Sequence, residues 1–480
     1  MDASLYRALL LIVFVVLLTA EFQLQDAAER GKLKWKRRYM PYIFSFLLPL
    51  CVVLALLQAL LALDLYGGKL LFGEFSTIAL HLCFYQLLLL LLLPFLRRWI
   101  SARACAALWL LPNYFFLLQS SWMLPDQPQW IVTLPSWLPA VAGGIWAAGF
   151  VLVLGCKIVQ HLLYRRRLLA SAATVEEPDI LALWETACRG IGAEASVYPL
   201  LRSSQVKTPL SIGFFSHTIR VILPEADYTT EELWLIFRHE LVHLGRNDSG
   251  TKFFMTFCTA LCWFYPISWI AMARSADDLE LSCDETVLLH EPPDMRSAYA
   301  KLLLSTAGEN RGFTTCLSVT AQALRYRLRN ILTNKKRRLG GAVVGLFLTL
   351  LAATLGIVGF ATECVPATAV FFGDSALQVE KITMIGEDDA IYLCTDVVAW
   401  IDYFATIKVQ EALWDVQKAP GTERIVLLEN TDGSSLSLYA YGSDFSLRWT
   451  KAGVSHERNY HAPDGIDWGY LHSFWKPMAS

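Results

Sequence analysis

Apolar residues dominate the first third of the chain in long runs, near 4–22, 39–63, 75–96, 104–124 and 135–156. Each is close to the roughly 20 residues that carry a helix across a hydrocarbon core. The pattern therefore predicts a five-helix transmembrane region over residues 1–164, and a further run at about 339–361 predicts a last crossing. The first run reads as a retained anchor, because its basic leader is short and no small-x-small cleavage site follows it. Between the fifth run and the last one the period changes. The stretch "EPDILALWETACRGIG", residues 177–192, has helical spacing and closes at Gly190 or Gly192. "QVKTPLSIGFFSHTIRVILP", residues 205–224, is rich in β-branched and aromatic residues around Pro209 and Gly213 and predicts a small sheet. Thr229 or Thr230 can then cap a helix with Glu231 and Glu232 in its first turn and an end near Gly245. After residue 363 the strings "ATAVFF", "EKITMIG", "IYLCT", "ERIVLLENTDGSSLSLYAYG" and "SLRWT" predict strands, with a hairpin turn at 431–433, and "DVVAWIDYFATI" predicts a helix.

Composition agrees with a membrane protein carrying soluble parts. The 480 residues are 55% hydrophobic, with a mean hydropathy of +0.41, too apolar for an ordinary soluble enzyme. The net charge of −2 gives no reason to expect direct nucleic-acid binding. It also hides local clusters that orient the chain. Arg30, Lys32, Lys34, Lys36, Arg37 and Arg38 follow the first run, Arg97, Arg98 and Arg103 the third, and Arg165, Arg166 and Arg167 the fifth. All fall on one side if the N-terminus starts outside. "NKKRR", 334–338, belongs there too. Residues 165–338 are then expected in the cytoplasm and 363–480 outside. Eleven cysteines show neither zinc-ribbon nor disulfide-framework spacing; only Cys364 and Cys394 lie beyond the last apolar run.

The cytoplasmic segment contains "RHELVHLGRND", residues 238–248. His239 and His243 are four apart on the predicted helix and share one face, the spacing by which two imidazoles reach one metal ion, with Glu240 one step round as a general base toward water. Such a pair alone is as readily surface or core filling. Catalytic zinc needs a third protein ligand, and "DDLELSCDETVLL", 277–289, offers Glu280 with Asp284 four residues on, suited to orient a ligating histidine. An acidic solvated face is the plainer reading of that segment, and the histidine motif tips the balance toward ligands. Arg246 and Asp248 are candidates for a supporting salt link or a helix-end charge cluster. Tyr299 is a candidate donor to the reaction intermediate or a core residue, and Cys283 reads as a small buried residue. His161, His217 and His290 show no partner pattern.

"SSQVKTPLSIGFFSHTIRVILP", "HELVHLGRND", "ELSCDE" and "RSAYAKLLL" resemble successive blocks of the BlaR/MecR-type antirepressor membrane metallopeptidases, over roughly three quarters of the chain. The resemblance implies a polytopic α-helical membrane protein with a cytoplasmic gluzincin-type α+β zinc metallopeptidase domain. It implies Zn2+ held by His239, His243 and Glu280, with Glu240 as general base. It further implies signalling, in which an extracellular event activates proteolysis of the chain itself and of a cytoplasmic DNA-binding repressor. Expected partners are membrane lipid, those protein substrates, a second copy of the chain and an extracellular ligand, in a multi-pass protein of the bacterial cell membrane.

Two features depart from a simple transfer of that scheme. Residues 253–271, "FFMTFCTALCWFYPISWIA", are apolar enough to cross the membrane, yet one crossing would put Glu280 opposite His239. A membrane-associated hairpin broken near Pro266 is therefore expected, with substrate lying as an extended strand beside residues 211–222. The outer part, residues 363–480, is short for a penicillin-binding domain and has no Lys-Thr-Gly; "SFWK", 473–476, is read as a chance match. A small extracytoplasmic α+β sensor or docking domain fits it, and β-lactam acylation is not expected. The competing functions are a housekeeping membrane zinc protease and a receptor scaffold that signals without proteolysis.

Overall fold

The computed structural model describes residues 3–29, 49–51, 54, 65–118, 128–190, 192–214, 216–289, 291–306, 321–333, 340–371, 379–385, 390–414, 416, 424–430, 435–451 and 454–477. The apolar third contains helices α1 (Ala3–Glu29), α2 (Leu65–Leu96) and α3 (Ala102–Leu110), a short strand β1 (Trp130–Leu134), and helix α4 (Leu138–Ala170). Among the described residues, two helices, Phe72–Leu96 and Leu138–Ala170, are long and apolar enough to cross a membrane; the apolar part of α1 is the shorter Ala8–Leu24. The run expected at 39–63 lies almost wholly outside the described residues. In the run expected at 104–124, of which residues 119–124 lie outside the described residues, α3 gives way to a 3-10 stretch over Leu111–Leu118. Pro112 is the reason, since it offers no N–H to the carbonyl of Leu108. The Tyr85 hydroxyl donates to that carbonyl instead, at 3.0 Å.

The central segment continues with β2 (Ala173–Thr174), α5 (Pro178–Gly190), β3 (Leu200–Ser203), β4 (Leu210–Ile212) and β5 (Arg220–Pro224). Helices α6 (Thr230–Arg246), α7 (Asp248–Leu261), α8 (Pro266–Val287), α9 (Pro293–Thr306) and α10 (Ala321–Thr333) follow. The four strands pair in the order β2-β3-β5-β4, which leaves β4 at an edge. Trp184, Val221, Leu235, Phe237, Leu241 and Val287 join α5, the sheet, α6 and α8 in one core. Trp184 meets Phe237 edge to face at 4.9 Å, and fully burying such side chains contributes about 1.5–3 kcal/mol each.

The apolar stretch at 253–271 turns back. Helices α7 and α8 are joined by residues 262–265. They run antiparallel, because Lys252 near the start of α7 reaches Glu280 in the second half of α8 at 3.2 Å. The turn is set among the long apolar helices: the Trp263 indole donates to the Trp146 carbonyl at 3.2 Å, and the Tyr265 hydroxyl to the Cys83 carbonyl at 3.2 Å. Gly149 on α4 makes room, since a Cβ there would stand 2.2 Å from the Trp263 ring. Pro266 opens α8 at a position where its missing N–H costs nothing.

The last apolar run also departs from expectation. Its helix, α11 (Gly341–Thr354), covers 14 residues. Gly356 then takes a positive φ of 79° and the chain becomes strand β6 (Val358–Thr362), parallel to β1. Beyond it lie β7 (Val365–Pro366), α12 (Ala367–Phe371), β8 (Val379–Ile385), β9 (Ile391–Cys394), α13 (Val397–Thr406), β10 (Lys408–Glu411), β11 (Arg424–Asn430), β12 (Ser435–Tyr441), β13 (Asp444–Lys451), β14 (Val454–His461), α14 (Trp468–His472) and β15 (Trp475–Pro477). Nine strands form one antiparallel sheet in the order β15-β9-β8-β11-β12-β13-β14-β10-β7. Helix α13 lays Trp400 and Phe404 on it, against Val426, Leu438 and Phe445. "ATAVFF", expected as a strand, is the helix α12, and the 431–433 turn lies outside the described residues. Cys364 and Cys394 are separate free thiols. This unit touches the apolar helices at the end away from α6: Lys69 pairs with Glu411 at 2.9 Å.

Candidate metal centre

Helix α6 is fixed at both ends. At its start the Thr229 hydroxyl accepts from the Glu232 N–H while the Glu232 carboxylate accepts from the Thr229 N–H, a reciprocal cap worth about 0.5–2 kcal/mol. At its end Asn247 adopts left-handed dihedrals, φ 55° and ψ 47°. Its side chain in turn accepts from the Gly250 N–H as the cap of α7. One asparagine thus ends α6 and begins α7, and this tight corner turns Asp248 back onto the helix it follows. The Asp248 carboxylate accepts from His243 Nδ1 at 2.5 Å.

His239 is oriented through a longer chain of bonds. The Tyr299 hydroxyl donates to Asp284 Oδ1 at 2.7 Å and lies 2.8 Å from His239 Nδ1. A hydroxyl has one proton, so the bond to His239 requires Nδ1–H as donor and leaves Nε2 with its lone pair. Asp248 imposes the same tautomer on His243. The two Nε2 atoms face one another at 3.1 Å, and Glu280 Oε2 lies 3.5 Å from each. Lys252 holds the other Glu280 oxygen, Oε1. In this neutral tautomer three electron-pair donors converge on one point.

Those separations suit a metal ion. Ligands about 2.0–2.1 Å from a tetrahedral zinc stand roughly 3.3 Å apart. The electrostatics demand positive charge at the same point. Burial lowers the proton affinity of His239, but the Cys283 sulfur and Glu280 outweigh it and raise its pKa to about 10. His243 is likewise raised by Cys283, Glu280 and Asp248 against the effect of burial. Burial would raise Glu280, yet His243 and Lys252 hold it well below the usual carboxylate range. Protons and a divalent cation compete for one acidic pocket.

A second donor set must be weighed, because the Cys283 sulfur stands within 4.8 Å of ligand atoms of His239 and His243. Its Sγ is 3.4 Å from His239 Nδ1, the ring nitrogen that Tyr299 also engages. Two donor sets are therefore within reach of the histidine pair, one completed by Glu280 and one by Cys283. Glu240 is buried on α6 beside the pair.

The remaining candidates occupy different places. Asp284 meets His239 through Tyr299 rather than directly; its Oδ1 is 3.7 Å from Nδ1. Tyr299, weighed above as a donor to a reaction intermediate, is 2% exposed with its hydroxyl held between His239 and Asp284. That placement makes it a positioning residue. Arg246 reaches α8, donating to the Ser282 carbonyl at 3.1 Å and Thr286 Oγ1 at 2.5 Å, while Asp248 serves His243. The sequence reading missed Arg327, which grips Asp284 with Nε and Nη2 at 2.7 Å each, and Lys252 on Glu280. The string "RYRLRN", 325–330, places arginines at every second position; nothing local says which one turns inward.

The segment that carries these residues is similar to known proteins. The family described as BlaR1 peptidase M56 matches residues 131–331, which include every residue of the centre. A curated relative, "Regulatory protein BlaR1" of Bacillus licheniformis, is 23% identical over 185 residues, covering 38% of this chain and 30% of the relative. The chain thus spans about a third of the length of that relative. Residues 131–331 are thus similar to the peptidase domain of the BlaR1 M56 family.

Proposed function

We propose that the protein is a membrane-embedded zinc metalloendopeptidase that transduces a signal, coupling an extracellular event to cytoplasmic proteolysis of itself, of a transcriptional repressor, or of both. The observation that carries the reading is the convergence of His239 Nε2, His243 Nε2 and Glu280 Oε2 at 3.1–3.5 Å, with the far nitrogen of each imidazole already bonded. A zinc ion held by these atoms would supply Lewis acidity to the scissile carbonyl and to water. Glu240 takes the proton from the attacking water and delivers it to the leaving amine. Asp248 and Tyr299 hold the imidazoles. The edge strand β4, residues Leu210–Ile212, offers main-chain groups to an extended substrate.

Membrane residence is supported by the side chains of α4, which expose Ile145, Val151, Leu152 and Leu162, a distribution suited to lipid. The sidedness read from the basic clusters is supported by where they contact the fold. Arg97 pairs with Asp278 at 2.6 Å beside the metal centre, whereas Lys69 pairs with the outer domain. The multi-pass topology, the outer sensor domain at 363–480 and pairing with a second copy belong to the same proposal. The test uses membranes carrying the full chain, wild type against Glu240→Gln, and follows zinc content and self-cleavage together. Zinc retained by both with cleavage lost only in Glu240→Gln is expected; zinc retained with cleavage independent of Glu240 would leave a non-proteolytic scaffold.

A further inference from the structure

Asp284 accepts three bonds inside the fold: one from Tyr299 and two from the fork of Arg327. Arg327 is 9% exposed and Asp284 1%, so the pair is a desolvated, bidentate, charge-assisted contact. Its consequence passes to His239. While Asp284 is held, the Tyr299 proton points at it and His239 Nδ1 must donate. If Asp284 turned away, that proton could go to Nδ1, and His239 would carry its own proton on Nε2, where it cannot bind a metal. The residue before Arg327 ties the same helix elsewhere. The Arg97 guanidinium lies over the Tyr326 ring, 5.4 Å from its centre. Arg97 also binds Asp278 Oδ2 at 2.6 Å, an oxygen that accepts from the Trp109 indole at 2.9 Å as well. Adjacent residues of α10 therefore contact the metal centre and the end of the long apolar helix α2.

We propose that Arg327 is the positioning residue that keeps His239 in its metal-binding tautomer, and that the Tyr326–Arg97 contact makes this hold depend on how α10 is docked against α2. The proposal rests on the metal-centre reading above and assigns its regulation: a shift of α2 relative to α10 acts on the centre through Arg327, Asp284 and Tyr299 in turn.

The experiment measures zinc affinity of the full chain by chelator competition, and the visible spectrum of the Co2+-loaded protein. The variants are Arg327→Met, Arg327→Lys, Tyr299→Phe, the Arg327→Met/Tyr299→Phe double and Arg97→Gln. Removing an outer partner of a ligand costs about 10–100-fold in affinity, which is the loss expected for Arg327→Met, with a changed Co2+ spectrum. Because Arg327 is proposed to act through Tyr299, its substitution should cost little more once Tyr299 is Phe; losses that multiply would show an effect that bypasses Tyr299, such as the approach of Arg327 Nη1 to Glu280 Oε2 at 3.9 Å, and overturn the proposal. Should Arg327→Met not fold, Arg327→Lys keeps the charge without the fork, and an affinity equal to wild type overturns the claim. Arg97→Gln is expected to weaken zinc in the same direction, and no change would remove the coupling to α2. A wild type that takes up no zinc would instead sink the metal-centre reading itself, an outcome distinct from zinc-binding wild type with an indifferent Arg327→Met.

Discussion

Replacing Asp248 by Asn isolates what its carboxylate gives the centre. The Asp248–His243 contact is 2.5 Å long between side chains only 4% and 10% exposed, so water cannot replace it. A hydrogen bond to a charged group is worth about 1.5–3 kcal/mol and a neutral one about 0.5–1.5. The difference, about 1–1.5 kcal/mol, is close to a tenfold loss of zinc affinity. Asn adds a second effect. Its NH2 can donate to Nδ1, which would move the His243 proton to Nε2 and block ligation. The expected loss therefore lies between about 10- and 100-fold, the range typical of outer partners of metal-bound histidines. The assay is competition for zinc with a chromophoric chelator on the purified full chain, with melting curves to show that the variant folds. An affinity within about twofold of wild type, in folded protein, would refute the claim that Asp248 sets the state of His243.

Proton release on zinc binding checks the electrostatics. With His239 raised from 6.5 to about 10, zinc uptake at about pH 8 should expel close to one proton from that residue, where an unshifted imidazole would expel almost none; titration calorimetry in buffers of different ionisation enthalpy measures it. The sign for stability of the metal-free form follows from the same shift: charged His239 stabilises fully below its ordinary 6.5, and this contribution fades as pH rises toward about 10, which melting temperatures against pH would show. Gly149→Ala places a Cβ 2.2 Å from the Trp263 ring, so an overpacking cost of about 1–3 kcal/mol should lower the melting temperature, and an unchanged one would mean that the α7–α8 turn is not where we place it. Gly250→Ala brings a Cβ to 2.3 Å from Asn247 Nδ2; disturbing that cap should cost about 0.5–2 kcal/mol and weaken zinc by displacing Asp248, as chelator competition would report.

The helices that carry the candidate ligands were legible because their information is local. His239 and His243 follow from a period of four on a capped helix, and Glu280 with Asp284 from the same period on α8. The need for a turn between them was legible from a length argument, since one metal cannot be held across a bilayer. Partners supplied by distant elements were not. Tyr299 was a candidate for a different contact and Arg327 was missed; they lie 60 and 43 residues from the groups they bond, and the pattern around each is that of an ordinary amphipathic helix. Hydropathy gave no sign of where the α-helices end within residues 104–118 and 339–361 for a related reason. It averages over side chains and is blind to a single backbone feature, such as Pro112 ending α3, or Gly356 releasing β6 to pair with β1. "ATAVFF" has strand-like residues, but its segment docks as a short helix that buries Ala367 and Phe371.

The identity of the third ligand is the claim on which the rest depends, and X-ray absorption at the zinc edge on the Glu240→Gln protein tests it directly. A first shell of nitrogen and oxygen only, near 2.0–2.1 Å, with two imidazoles, is what ligation by His239, His243 and Glu280 predicts. A sulfur near 2.3 Å would assign Cys283 in place of Glu280 and contradict the account.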